Sequence, residues 1–258
     1  MLAGSLSRPQ KDLIIKAYRR MTWLAKWPWR GILRATIETR TPIIPGRRWR
    51  SSISPKTHLG LVNGSIKYTY RGVRMVKHPV DIALYMKLLW ELKPRTVIEI
   101  GSKDGGTAAW FGDMFKLWGM IGLVLSIDLY PPKRPYFCTG AVKFVQGDER
   151  NLEPHRKTFE DLPHPWILIN DASHNSDATL KCMRFMHQFL EKGDYFVIED
   201  SILTEMGLDW DGERRGGPAL AIARFLKEHP DCYEVDARYC DHFGYNVTAN
   251  MNGYLRRV

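Results

Sequence analysis

Two sets of residues in this chain have the types and spacing of a reaction centre. The run Glu99-Ile100-Gly101-Ser102-Lys103-Asp104-Gly105-Gly106 stands where a short apolar stretch gives way to a helical pattern. Glycines there let the backbone turn sharply and approach a ligand, and the helix after them offers its N-terminal amides. The spacing is G-x-x-x-G-G, not the dinucleotide fingerprint G-x-G-x-x-G. Asp128 closes the next apolar stretch, where a carboxylate can accept both hydroxyls of a ribose. Gly147-Asp148 closes the third, where an acidic group can meet an adenine ring. In this order, at the ends of successive strands, Glu99, Gly101, Ser102, Gly105, Gly106, Asp128, Gly147 and Asp148 predict a site for an adenosine-bearing cofactor.

The second set is acidic. Asp171 follows Trp166-Ile167-Leu168-Ile169-Asn170, and Glu199-Asp200 follows Tyr195-Phe196-Val197-Ile198. On neighbouring strands these three acids converge at one edge of a sheet. Hard oxygen donors suit Mg²⁺, Mn²⁺ or Ca²⁺ better than a structural zinc ion. Helix capping accounts for one such aspartate, but not for three acids of which two are adjacent. His174, three residues after Asp171, overhangs the same edge. Its ordinary pKa near ~6.5 suits a general base, and a nearby cation would keep the ring neutral. Residues 201–218 read as a long polar loop, carrying Asp209, Trp210, Asp211, Glu213, Arg214 and Arg215. That length beside a site fits a lid or a substrate-binding loop, and equally a plain connector.

Elements able to position these residues emerge from periodicity. From residue 79 onward helical patterns alternate with short apolar strands at residues 96–100, 123–128, 142–146, 166–170 and 195–199. A helix near residues 219–229 and two strands around Tyr233 and Tyr254 come last. This alternation predicts an α/β fold with a doubly wound, mostly parallel sheet.

Composition is that of a globular protein, with 44% hydrophobic and 26% charged residues in 258, which argues against disorder and against a fibre. No apolar run approaches the ~18 residues of a membrane span, and no signal peptide is evident, so a cytoplasmic protein is expected. Four dispersed cysteines without a CxxC pair read as reduced thiols. Of the 38 Lys and Arg, 12 fall in residues 1–50 with only 2 of the 28 acids, and the remainder balances at 26 of each. The net charge of +10 therefore belongs to that segment. Residues 11–34 read as a basic amphipathic helix, with Leu13, Ala17, Met21 and Leu24 on one side and Trp23, Trp27 and Trp29 around Pro28. It suits peripheral contact with a membrane surface through residues 1–50, or packing on the domain or on a second subunit in a homo-oligomer. No nucleic-acid motif accompanies it. Residues 41–66, rich in Pro and Gly, read as a connector.

Several stretches resemble the cephalosporin hydroxylase family. They are residues 70–77 (Tyr-Arg-Gly-Val-Arg-Met-Val-Lys), residues 89–101, Asn170-Asp171-Ala172-Ser173-His174, residues 192–200 and the ending Leu255-Arg256-Arg257-Val258. The resemblance covers residues 68–258 and leaves residues 1–67 as a separate N-terminal extension and connector. It implies a Rossmann-like class I methyltransferase with an antiparallel C-terminal strand, using S-adenosylmethionine. It also implies cofactor contacts at Glu99, Gly101, Asp128 and Asp148, and a magnesium (or manganese) site at Asp171, Glu199 and Asp200. The expected activity is O-methylation of a hydroxyl on a sugar or secondary metabolite, with Asp171 and His174 as the catalytic pair. The N-terminus and the 209–217 loop have no match in that family, so a β-lactam substrate is not implied. Two other classes compete: a nucleotide-dependent oxidoreductase or hydroxylase, which has no need of the acid trio, and a non-catalytic module recruited to membranes through residues 1–50.

Overall fold

A computed structural model describes residues 44–132, 140–209 and 213–258. The expected basic helix of residues 11–34, Cys138, and Trp210 and Asp211 of the long loop lie outside these. Helix α1 (Pro55–Ser65) precedes a small hairpin, β1 (Thr69–Tyr70) and β2 (Val73–Arg74), and then α2 (Pro79–Leu92). The sheet and its helices continue with β3 (Thr96–Ile100), α3 (Gly106–Leu117), β4 (Leu123–Asp128), β5 (Val142–Gln146), α4 (Arg156–Glu160), β6 (Trp166–Asn170) and α5 (Ser176–Met186). The last elements are β7 (Tyr195–Ile198), α6 (Gly217–Glu228), β8 (Tyr233–Val235), α7 (Ala237–Cys240) and β9 (Tyr254–Arg257).

Seven strands form one sheet in the order β5-β4-β3-β6-β7-β9-β8. β9 runs antiparallel to both neighbours, and the other pairings are parallel. The doubly wound sheet with an antiparallel C-terminal strand is thus as expected. Successive strand residues enter opposite cores, as the two-residue period requires. Ile98, Leu168 and Phe196 join Met183 and Phe225 on the face covered by α5 and α6. Val97, Ile167 and Val197 join Leu88 and Phe111 on the face covered by α2 and α3. Both faces are buried over β3, β6 and β7, which explains why these strands read as largely apolar runs, while edge strand β5 buries only Val142. The winding direction reverses between β3 and β6, and ligands bind at the carboxyl side of such a switch point.

Two elements differ from the sequence reading. Within the expected connector, residues 55–65 are helical, because Ser54 caps α1 by accepting from the Thr57 amide and Pro55 stands at the first helical position. Residues 44–67 also belong to the same compact unit as residues 68–258. Arg47 pairs with Asp241 at 2.6 Å, and Leu59 and Val62 pack against Ile202, Met206 and Met251. The second difference is the 201–218 stretch, which is largely interior at its start: Ser201, Ile202, Thr204, Glu205 and Met206 are buried. No helix among the described residues is long and apolar enough to cross a membrane.

Candidate active site

The carboxyl ends of β3, β4 and β5 form one side of the crevice. The Gly101 amide donates to the Ile127 carbonyl at 2.7 Å, and the Gly147 amide donates to the Asp128 carbonyl at 3.0 Å, so the three turns are tied edge to edge. Gly101 adopts φ 111°, and a Cβ there would collide with the Asp171 carbonyl. Its glycine therefore serves first to bring the β3 turn against the end of β6. Gly106 meets the Arg74 backbone in the same way, and Gly105 caps α3 from the left-handed region. The Asp128 carboxylate accepts the Lys103 amide at 2.9 Å and the Tyr130 amide at 2.8 Å, which fixes it at the rim. Asp148 Oδ1 accepts the Arg150 amide at the end of β5.

Glu99 and Ser102 are placed differently from these rim residues. In the β3–β4 register Glu99 lies opposite Ser126, whose hydroxyl donates to Glu99 Oε2 at 2.7 Å and lies 2.6 Å from the Ser102 hydroxyl. Only 1% of Glu99 is exposed, and burial pushes its pKa up to about 7 in spite of Lys77 and Ser126. Both side chains face inward and brace the turn between β3 and α3.

Across the switch point stand the residues of β6 and β7. The Asp171 amide donates to the Ile100 carbonyl and the Glu199 amide to the Asn170 carbonyl, which holds the strand ends in step. Asp171, His174 and Asp200 each present a ligand atom, all within 4.8 Å of one another. His174 Nε2 is 3.3 Å from Asp200 Oδ2 and 3.9 Å from Asp171 Oδ1. Both His174 (φ 56°) and Asp200 (φ 58°) sit in the left-handed region, an unfavourable backbone state that surrounding structure must enforce. For Asp200 that structure is an interior polar loop in which Thr248, Asn250 and Asn252 are fully buried, and the Asn250 side chain accepts the Asp200 amide. Buried Asp81 anchors this loop by accepting from the Thr248 hydroxyl, the Ala249 amide and Tyr254. Beside His174, the Ser176 amide and hydroxyl donate to the carbonyls of Arg214 and Arg215, so the far part of the 201–218 stretch is fastened to the start of α5.

Glu199 is next to this group but engaged elsewhere. Its Oε1 accepts from Tyr85 at 2.6 Å and from Lys77 at 2.8 Å. Burial and the Asp171 charge push its pKa well above the usual carboxylate value, with Lys77 and Tyr85 pulling the other way. Lys77 also reaches Asp171 Oδ2 at 2.5 Å. Burial opposes its charge, but Asp171, Glu199 and Glu99 outweigh burial and push the lysine pKa above its ordinary value. The structure therefore gathers His174 with Asp171 and Asp200, where spacing had grouped Glu199 with those two. Lys77, Tyr85 and Ser126 were missed by the sequence reading, as was Glu149, which accepts from the Ser173 amide at 3.0 Å. The available signal was electrostatic: acids gathered at one buried edge require a cation, and Lys77 stands just before α2.

The donor set fits a divalent ion. The carboxylate oxygens of Asp171 and Asp200 are hard donors of the kind that Mg²⁺ and Mn²⁺ accept, and no thiolate stands among them.

Comparison with known proteins agrees. The sequence profile of the family described as rhamnosyl O-methyltransferase/CmcI matches residues 63–258. The chain belongs to that family. Rhamnosyl O-methyltransferases of Mycobacterium tuberculosis and Mycobacterium leprae are each 30% identical, over 202 residues (74% of this chain, 78% of the relative) and 199 residues (73% and 82%). The fold also matches CmcI in an apo structure, with 29% identity and a TM-score of 0.62. A CmcI structure with Mg and S-adenosylmethionine matches at 30% identity and a TM-score of 0.61, and both cover 84% of this chain and 89% of the other. The chain is accordingly an S-adenosylmethionine-dependent O-methyltransferase with the class I fold.

Proposed function

We propose that this enzyme methylates a hydroxyl of a sugar or of a secondary metabolite, assisted by a divalent ion held at Asp171, Glu199 and Asp200. The observation that carries this reading is the convergence of Asp171 and Asp200, with His174 beside them, within 4.8 Å at the switch point beside the glycine turn, and Glu199 joins them through Lys77, which it shares with Asp171. A rhamnosyl acceptor is favoured by the relatives, which are named for that substrate. The glycine turn, Asp128 and Asp148 bind the S-adenosylmethionine side of the crevice.

Asp171, through Oδ1, and Asp200 would hold the ion, and Glu199, whose Oε1 accepts from Lys77 and Tyr85, would add its other oxygen. When bound, the ion supplies a Lewis acid that lowers the pKa of the acceptor hydroxyl. His174 Nε2 takes the hydroxyl proton, and Asp200, 3.3 Å away, steadies the imidazolium that results. S-adenosylmethionine would supply its methyl group to the deprotonated acceptor oxygen, with the carbon–sulfur bond pair left on sulfur. Much of the acceleration comes from holding the two reactants at attack distance. Replacing Asp171 by alanine should abolish turnover and leave S-adenosylmethionine affinity nearly unchanged by titration calorimetry; a parallel loss of both contradicts this division of roles.

A further inference from the structure

Lys77 has no part in those steps. Only 1% of its side chain is exposed, yet its ammonium group lies 2.5 Å from Asp171 Oδ2, 2.8 Å from Glu199 Oε1 and 4.0 Å from Glu99 Oε1. A buried cation is unfavourable unless anions hold it, and buried acids repel one another unless a cation lies between them. Lys77 meets both conditions. The division of Asp171 adds a second consequence: Oδ2 is committed to Lys77, and Oδ1 faces His174. A divalent ion at this edge must therefore share Asp171 and Glu199 with a fixed positive charge.

We propose that Lys77 is a resident counter-ion of the acid cluster. It keeps Asp171 and Glu199 together when no divalent ion is bound, and by sharing them it lowers affinity for the ion, so that the ion exchanges readily. Lys77 acts through the acids and is a positioning residue. The proposal rests on the reading that Asp171, Glu199 and Asp200 hold the ion.

Manganese(II) binding to the full chain, monitored by electron paramagnetic resonance without cofactor or acceptor, tests it together with melting temperatures. Lys77→Met is expected to bind Mn²⁺ at least about tenfold more tightly, because a positive charge has been removed a few ångströms from the ion. The variant should also melt lower without Mn²⁺ and gain more on its addition. Lys77→Gln keeps a donor but drops the charge, and is expected to behave like Lys77→Met. A lysine with a merely structural role would lower both melting temperatures alike and leave Mn²⁺ affinity unmoved. Unchanged or weaker Mn²⁺ binding in the variants overturns the proposal; should Lys77→Met not fold, Lys77→Gln decides alone. Absence of Mn²⁺ binding by the unsubstituted chain overturns the metal reading and this proposal with it.

Discussion

The two sides of the crevice are built by different means. On the β3–β4–β5 side the backbone does most of the work: carbonyls and amides of adjacent turns bond to one another, and Gly101 and Gly106 permit contacts that a side chain would block. On the β6–β7 side the work falls to side chains brought from afar. Lys77 and Tyr85 come from before and within α2, Asn250 from the loop before β9, and Asp171, His174 and Asp200 from two strand ends. A backbone-built edge tolerates changes of charge but not of shape. A side-chain-built edge does the reverse, and each side can be broken in its own way.

The largest effect is expected on the side-chain edge. His174→Ala should lower kcat by about 10²–10⁴-fold, the usual range for loss of a general base, while Mn²⁺ affinity stays within about threefold. A comparable fall in Mn²⁺ affinity would make His174 a ligand, the role its grouping with Asp171 and Asp200 also permits. On the backbone edge, Gly101→Ala should cost roughly 3 kcal/mol in urea unfolding, since it combines a strained φ with a collision against Asp171. Destabilisation below about 1 kcal/mol would show that the two turns can separate cheaply.

A smaller effect concerns pH. His58 and His78 are buried with their rings 5.5 Å apart, and burial lowers the pKa of each from 6.5 to about 4. The unfolded chain binds these protons first, so their contribution to stability is complete above pH 6.5 and is lost as pH falls towards 4. Buried Asp81 and Glu99 act in the opposite sense, because burial raises their pKa values to about 6 and about 7. Comparison of His58→Phe with the unsubstituted chain isolates the histidine contribution. The variant should lose roughly 2 kcal/mol less stability over that interval, read from urea midpoints at each pH. Identical acid profiles would place the His58 ring in water.

This contrast also explains what the sequence made legible. The strands at 96–100, 123–128, 142–146 and 166–170 were readable to the residue: three of them are buried on both faces and their apolar runs end where burial ends, while the edge strand 142–146, of which only Val142 is buried, is marked by Val and Phe between Gly140 and Gly147. The glycine turn and the strand-end acids were readable for the same reason, since each comes directly after a strand. Helix α1 was not, because Gly60 and Gly64 masked the cap formed by Ser54 and Pro55. The roles of Lys77 and Tyr85 were also hidden. Lys77 is 94 residues from Asp171 and Tyr85 is 114 from Glu199, and no local pattern encodes pairings that only the closed sheet creates. The inward turn of Glu199, which leaves His174 beside Asp171 and Asp200, arises from those same hidden partners.

The claim on which the reading depends is that a divalent ion at this acid edge assists methyl transfer from S-adenosylmethionine. It is tested most directly by mass spectrometry of a rhamnosylated acceptor incubated with enzyme and S-adenosylmethionine, with Mg²⁺ or with a chelator. A gain of one methyl group with Mg²⁺, lost on chelation and restored by adding the ion back, is the expected result; methylation that proceeds unchanged in the chelator would contradict it.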